Sequence, residues 1–235
     1  PLFKFAEEGK SPVDQEDGGS GVDAQLLFAK TFRRLREVGV LATIREALGI
    51  LRSNESNIAT HGFIDEFDIK SGTDTGRSVR LWKLKISSPN ARYGRFYQTS
   101  GEEELRETIS YLGESPQTFT FIDLGCGKGK TLLVASSLGF KQVIGVEFAG
   151  ELAAVAQENI RKLGINNAVA ILGDAADFHF PTDDIVLYLY NPFSEEVMHK
   201  VIANLKAANC RKMYVIYKKG DCDELFDRCG FLNRL

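Results

Sequence analysis

The stretch FIDLGCGKGKT, Phe121–Thr131, decides how this chain folds. An apolar run ends at Asp123 and Leu124. Glycines then stand at alternate positions, Gly125, Gly127 and Gly129, before a helical apolar period begins. Strand, glycine turn and helix in that order make a loop that holds a ligand against backbone. Spacing separates the possible ligands. A phosphate-wrapping loop reads G-x-x-x-x-G-K-[ST], and the GKT at Gly129–Thr131 suits it. Its first glycine, however, would fall at Leu124, and counted from Gly125 the loop is one residue short. The dinucleotide pattern G-x-G-x-x-G opens well at Gly125 and Gly127, but its third glycine would fall at Lys130. What remains is D-x-G-x-G-x-G at a strand end.

Outward from this loop the chain alternates strand and helix. TFTFIDL, QVIGVE, AVAIL, DIVLYLY and KMYVIY read as strands, with helical periods over Thr131–Leu138, Glu151–Leu163, Glu195–Leu205 and Cys222–Cys229 between and after them. Strands apolar on both faces belong to a parallel sheet covered by helices. The expected fold is therefore α/β, a doubly wound Rossmann-like, mostly parallel sheet over residues 116–235. Upstream, residues 1–22 are polar and glycine-rich and read as a flexible lead-in. Residues 23–115 read as a helical N-terminal extension with a covering loop. Phe28, Phe32, Leu35 and Val38 share one helical face, and Leu41, Ile44, Leu48 and Leu51 another. SVRLWKLKIS alternates as a short strand, and Glu102–Leu112 reads as a helix. Arg33, Arg34, Arg36, Arg45 and Arg52 form a solvated face or a docking surface for an acidic partner.

The chain has 235 residues, is 43% hydrophobic and 26% charged, and carries a net charge of −3, enough for a full core and without a global nucleic-acid footprint. Apolar runs fall short of a bilayer span of roughly 20 residues, and a cytoplasmic location is expected. The start at Pro1 suggests that the natural N-terminus lies upstream. Cys126, Cys210, Cys222 and Cys229 lack zinc-knuckle spacing and read as reduced thiols. His61, His179 and His199 are scattered, so no metal is expected.

The D-x-G-x-G-x-G loop resembles motif I of the class I S-adenosylmethionine-dependent methyltransferases. That cofactor has no phosphate to wrap, and glycines let backbone pack against its methionine and ribose parts. Asp123 would orient its ammonium, and the following helix N-terminus would favour its carboxylate. Glu147, about 20 residues past the loop at the next strand end, is placed to bind ribose hydroxyls, with Phe148 beside it. Asp174 follows the third strand. In the resembled family an acid there meets the adenine amine, and the backbone of the next residue, Ala175, contacts the ring. Cys126 fills space in the loop. The resemblance thus implies a seven-stranded sheet whose last strand is antiparallel. Only GFLNRL remains for a sixth strand here, so the sheet is expected to be incomplete or its edge covered.

The fourth strand runs into LYNPFSEEV. Asn191 and Pro192 there suit a helix N-cap and first turn. They also resemble, with one proline missing, the [ND]-P-P-[YFW] motif of amine methyltransferases, in which Asn191 and Pro192 would accept hydrogen bonds from the target nitrogen and Phe193 would pack nearby. Over roughly Tyr93–Lys219 the chain resembles bacterial relatives of the disruptor-of-silencing-type histone lysine methyltransferases. FYQTSGEEELRETISYL, NPFSEEVMHKVIANL and RKMYVIYKK carry that likeness. It implies that Tyr97, Thr99 and Ser100 close over the cofactor, that Asn191 also lies against it, and that the acceptor is a protein lysine. Adenine in nucleic acid, a small molecule, or a non-catalytic binding role are the competing readings.

Overall fold

The computed structural model describes residues 1–5, 65–76, 90, 101–190, 192–208 and 210–235. The chain divides into two units, Pro1–Gly9 with Phe63–Leu235, and Lys10–Gly62. All described residues belong to the first. The expected helices around Phe28 and Ile44, and the SVRLWKLKIS strand, lie outside them.

Seven strands form one sheet in the order β4-β3-β2-β5-β6-β1-β7. They are β1 Leu2–Phe5, β2 Thr120–Leu124, β3 Gln142–Glu147, β4 Ala168–Leu172, β5 Ile185–Tyr190, β6 Met213–Lys218 and β7 Leu232–Arg234. β2 pairs in parallel with β3 and β5, β3 with β4, and β5 with β6. The helices are α1 Glu66–Ser71, α2 Glu102–Tyr111, α3 Lys130–Ser137, α4 Gly150–Lys162, α5 Glu195–Ala207 and α6 Asp223–Arg228. Every residue of β2 is buried, as the two-sided apolar pattern requires. Alternate side chains serve two cores. Ile122, Leu124, Leu187 and Val215 pack with Val197, Val201 and Phe226 of α5 and α6. Phe121, Val186, Tyr188 and Ile216 pack with Leu105, Leu132 and Ala156 of α2, α3 and α4 on the other side. The doubly wound α/β expectation is met. Among the described residues no helix is long and apolar enough to cross a membrane.

The first residues correct one expectation and meet another. Leu2–Phe5, assigned to a flexible lead-in, is a strand, antiparallel to both β6 and β7. Residues 120–235 supply six strands, and β1 covers the β6 edge, the second of the two outcomes expected there. Phe3 is fully buried, its ring 5.1 Å from that of Phe226. One buried aromatic and backbone pairing on both edges hold the segment there; a four-residue run carries too little local pattern to announce this.

Candidate functional site

The carboxyl ends of β2, β3, β4 and β5 bring the expected residues toward one rim. Gly125, Gly127 and Gly129 all adopt left-handed backbone, at φ 88°, 55° and 83°. A side chain in that region costs about 1–2 kcal/mol per residue, which explains the choice of glycine. The turn is tied to the neighbouring strand, since Gly125 and Cys126 both donate to the Val146 carbonyl, at 2.8 and 3.1 Å. A Cβ on Gly125 would stand 2.9 Å from Pro192 Cβ, so the segment after β5 lies directly against the glycine loop. Cys126 is buried and packs toward β3, where a Cβ on Gly145 would come within 2.6 Å of its sulfur.

Two carboxylates are buried beneath this loop. Asp123 is 3% exposed and Glu147 4%. Burial, opposed by a hydrogen bond from the Thr131 hydroxyl and reinforced by the Glu147 charge, pushes the Asp123 pKa up to about 7. Glu147 accepts from the Gly127 and Ala149 N–H groups, both at 2.9 Å, and burial nevertheless raises its pKa. Burial and these two acids hold the Cys126 thiol well above its ordinary value, so it is no thiolate nucleophile. Among the described residues neither carboxylate has a lysine or arginine partner.

Asp174 opens the short 3-10 turn Ala175–Asp177, accepting from Ala176 N–H at 2.9 Å, and the Asn90 side-chain amide donates to it at 2.8 Å. Ala175 is buried behind it and Phe148 is half-buried past β3. Helix α5 begins at Glu195 with Ser194 in the cap position, so neither Asn191 nor Pro192 opens it. That removes the capping explanation for the NPF segment. Phe193 is 9% exposed and joins the core under the loop. Tyr97, Thr99, Ser100 and Asn191 lie outside the described residues.

Sequence reasoning passed over several residues around the loop. Lys128 and Lys130, the latter in the place of a phosphate-binding lysine, turn away to Asp74 and Asp65 at 2.9 and 2.7 Å. This explains why the GKT triplet is no phosphate grip. The Thr131 hydroxyl is engaged by Asp123. The fully buried Asn159 of α4 bonds the Lys128 carbonyl at 3.0 Å. A polar residue on the apolar face of α4 was the available signal for Asn159; the partners of the lysines had none.

A family model described as a methyltransferase domain matches residues 117–219. The chain is 35% identical over 96 residues to a protein of Caldanaerobacter subterraneus named as an uncharacterized RNA methyltransferase, covering 40% of this chain and 20% of that one. It is 27% identical over 197 residues to a protein of the same description from Chlamydia muridarum, covering 63% and 49%. The chain thus spans half or less of the length of these relatives. Among solved structures, a SAM-dependent methyltransferase from Aquifex aeolicus aligns over 51% of this chain and 72% of that one, at 19% identity and a TM-score of 0.41. The strand order and the glycine loop agree with the methyltransferase domain whose model matches residues 117–219, and with the general resemblance to class I S-adenosylmethionine-dependent methyltransferases. The comparisons support that general resemblance and not the finer one to the disruptor-of-silencing-type histone enzymes.

Proposed function

We propose that this protein transfers the methyl group of S-adenosylmethionine to an amine nitrogen in nucleic acid, with RNA as the acceptor. The observation that carries the cofactor assignment is the pair of buried carboxylates, Asp123 and Glu147, set without a cationic partner among the described residues around a glycine turn that excludes side chains. S-adenosylmethionine fits that set: it is cationic, its ribose hydroxyls donate, and it needs close backbone rather than a phosphate grip. It supplies a methyl group already activated on a sulfonium. In this reading Asp123 and Glu147 hold the cofactor's donors, Gly125, Cys126, Gly127 and Gly129 pack along it, and Phe148, Asp174 and Ala175 receive the adenine. By the family resemblance, Tyr97, Thr99 and Ser100 would cover it.

The RNA acceptor is favoured by the relatives named as RNA methyltransferases, and a local feature agrees with it. Tyr190, half-buried at the end of β5, stands beside the NPF segment, with the Lys219 ammonium 5.4 Å from its ring centroid. An aromatic face with a neighbouring cation suits an unstacked base and its phosphate. Asn191 would accept a hydrogen bond from the target amine without carrying a charge, and Pro192 and Phe193 would shape its pocket. The chain's part is then in-line positioning and exclusion of water.

Labelled S-adenosylmethionine incubated with separated cellular RNA and protein tests the acceptor directly. Nuclease-sensitive label is expected; protease-sensitive label alone would overturn the RNA reading in favour of a protein lysine. Asn191→Ala should keep cofactor affinity within about tenfold while single-turnover transfer falls about a hundredfold or more, the scale of a lost preorganised polar contact.

A further inference from the structure

Residues 65–76, DEFDIKSGTDTG, reach the glycine loop from the side of α3 and α4, and nothing in the methyltransferase motif requires them. The segment is rigid in its own right. Asp65 caps α1 by accepting from Phe67 N–H at 3.0 Å, and Gly72 ends the helix at φ 71°. Asp68 then gathers the turn: it accepts from the Thr73 hydroxyl at 2.8 Å, from the Thr75 hydroxyl at 2.7 Å and N–H at 2.8 Å, and from Gly76 N–H at 2.6 Å. Thr75 is fully buried, and a Cβ on Gly76 would stand 2.5 Å from Asp65 Cβ, so the two ends of the segment touch.

This folded segment grips both lysines that flank Gly129. Asp65 pairs with Lys130 at 2.7 Å, with side chains 15% and 8% exposed; Asp74 pairs with Lys128 at 2.9 Å, with side chains 48% and 5% exposed. Lys130 Nζ also lies 5.2 Å from the Phe67 ring centroid. Asn159 closes the arrangement from α4. Its amide donates to the Asp74 carbonyl at 3.2 Å and the Lys128 carbonyl at 3.0 Å, and its oxygen accepts from Asp74 N–H at 3.1 Å. Each lysine ammonium is thereby taken out of water and held by one acid. Removing such an acid leaves a buried, uncompensated charge, and the chain must move to hydrate it. Lys128 and Lys130 flank Gly129, so such a movement reaches the glycine turn first.

We propose that residues 65–76 are a strap that fixes the cofactor loop from outside, with Asp65 and Asp74 as positioning residues acting through Lys130 and Lys128. The inference rests on the cofactor reading above for its effect on binding, and on the ion pairs alone for its effect on the loop. Asp65→Asn keeps a capping side chain and removes only the charge. It should weaken S-adenosylmethionine binding by calorimetry about tenfold, and Asp74→Asn about threefold, with Asp74→Glu restoring wild-type affinity. Glu66→Gln, on the exposed side of α1, should change nothing. In the ligand-free protein, amide exchange should accelerate at residues 125–131 in both asparagine variants and stay unchanged in the β5 and β6 core. Unaltered exchange at the loop overturns the strap whether or not the cofactor binds. Exchange that rises throughout the fold shows a general structural role and overturns it too. If the wild-type protein fails to bind S-adenosylmethionine, the cofactor reading falls, and the loop-exchange result still decides the strap.

Discussion

The two halves of the sheet are built on different plans. In the half β4-β3-β2, β2 leads through α3 to β3 and β3 through α4 to β4, each a parallel neighbour, and residues 120–177 contain the glycine loop, Glu147 and Asp174 in order. In the half β6-β1-β7, the middle strand comes from the beginning of the chain and runs against both neighbours. The first half carries Gly125, Glu147 and Asp174 at or just past successive strand ends. In the second, β1 occupies the backbone hydrogen bonds that β6 would otherwise leave open, and the three-residue β7 becomes the edge. The comparison teaches that cofactor chemistry and sheet completion are separable in this molecule.

Phe3→Ala should break that separation if it is wrong. Removing a fully buried ring packed on Phe226 should cost about 3–5 kcal/mol in urea unfolding. Where the variant is still folded, S-adenosylmethionine affinity should stay near wild type; a parallel loss of affinity would show that the halves are coupled. Gly125→Val strikes the other half. Left-handed strain of about 1–3 kcal/mol joins the close approach to Pro192, and binding by calorimetry should weaken about a hundredfold. A folded variant with normal affinity would remove the loop from the site.

Glu147→Gln is a milder cut. The amide still accepts from Gly127 N–H but lacks the charge, so affinity should fall about tenfold, the scale of one charge-assisted hydrogen bond. The free protein should melt higher at neutral pH, because burial already disfavours the Glu147 carboxylate. A variant that binds normally would place the ribose elsewhere.

The smallest expected effect is the pH dependence of Asp123. Its folded-state pKa, about 7, lies above its ordinary value of 3.8, so the folded chain holds the proton more tightly than the unfolded one. The resulting stability is full below about pH 4 and is lost as pH rises to about 7. A cationic cofactor favours the carboxylate, so binding should release a proton and strengthen by up to about tenfold from pH 6 to pH 7.5. Calorimetry in buffers of different ionisation enthalpy at pH 6.5 measures that proton. No release would mean that Asp123 does not meet the cofactor's charge.

Much of the rim at the carboxyl ends of β2, β3 and β4 was legible because it is written locally. The φ of Gly125, Gly127 and Gly129 follows from residue type and turn, and the positions of Glu147 and Asp174 follow from strand ends at a regular spacing. Strand and helix boundaries fell within a few residues for the same reason. The NPF segment was half legible: its place after β5 was clear, but whether Asn191 caps α5 depended on where that helix starts, which Ser194 settles. The strap was illegible. DEFDIKSGTDTG reads as a polar loop, and only its folded form shows Asp68 gathering the turn and Asp65 reaching Lys130.

By itself, then, the sequence determined the α/β alternation, the glycine turn and the acids at its rim, because these depend on residue periodicity and backbone preference over a few neighbouring positions. Tertiary structure alone decided that Leu2–Phe5 completes the sheet and that Lys128 and Lys130 face Asp74 and Asp65. Those choices join residues far apart in the chain. Any exposed strand edge accepts a short apolar segment and any acid suits a lysine, so the partner is selected only when the whole core has closed around it.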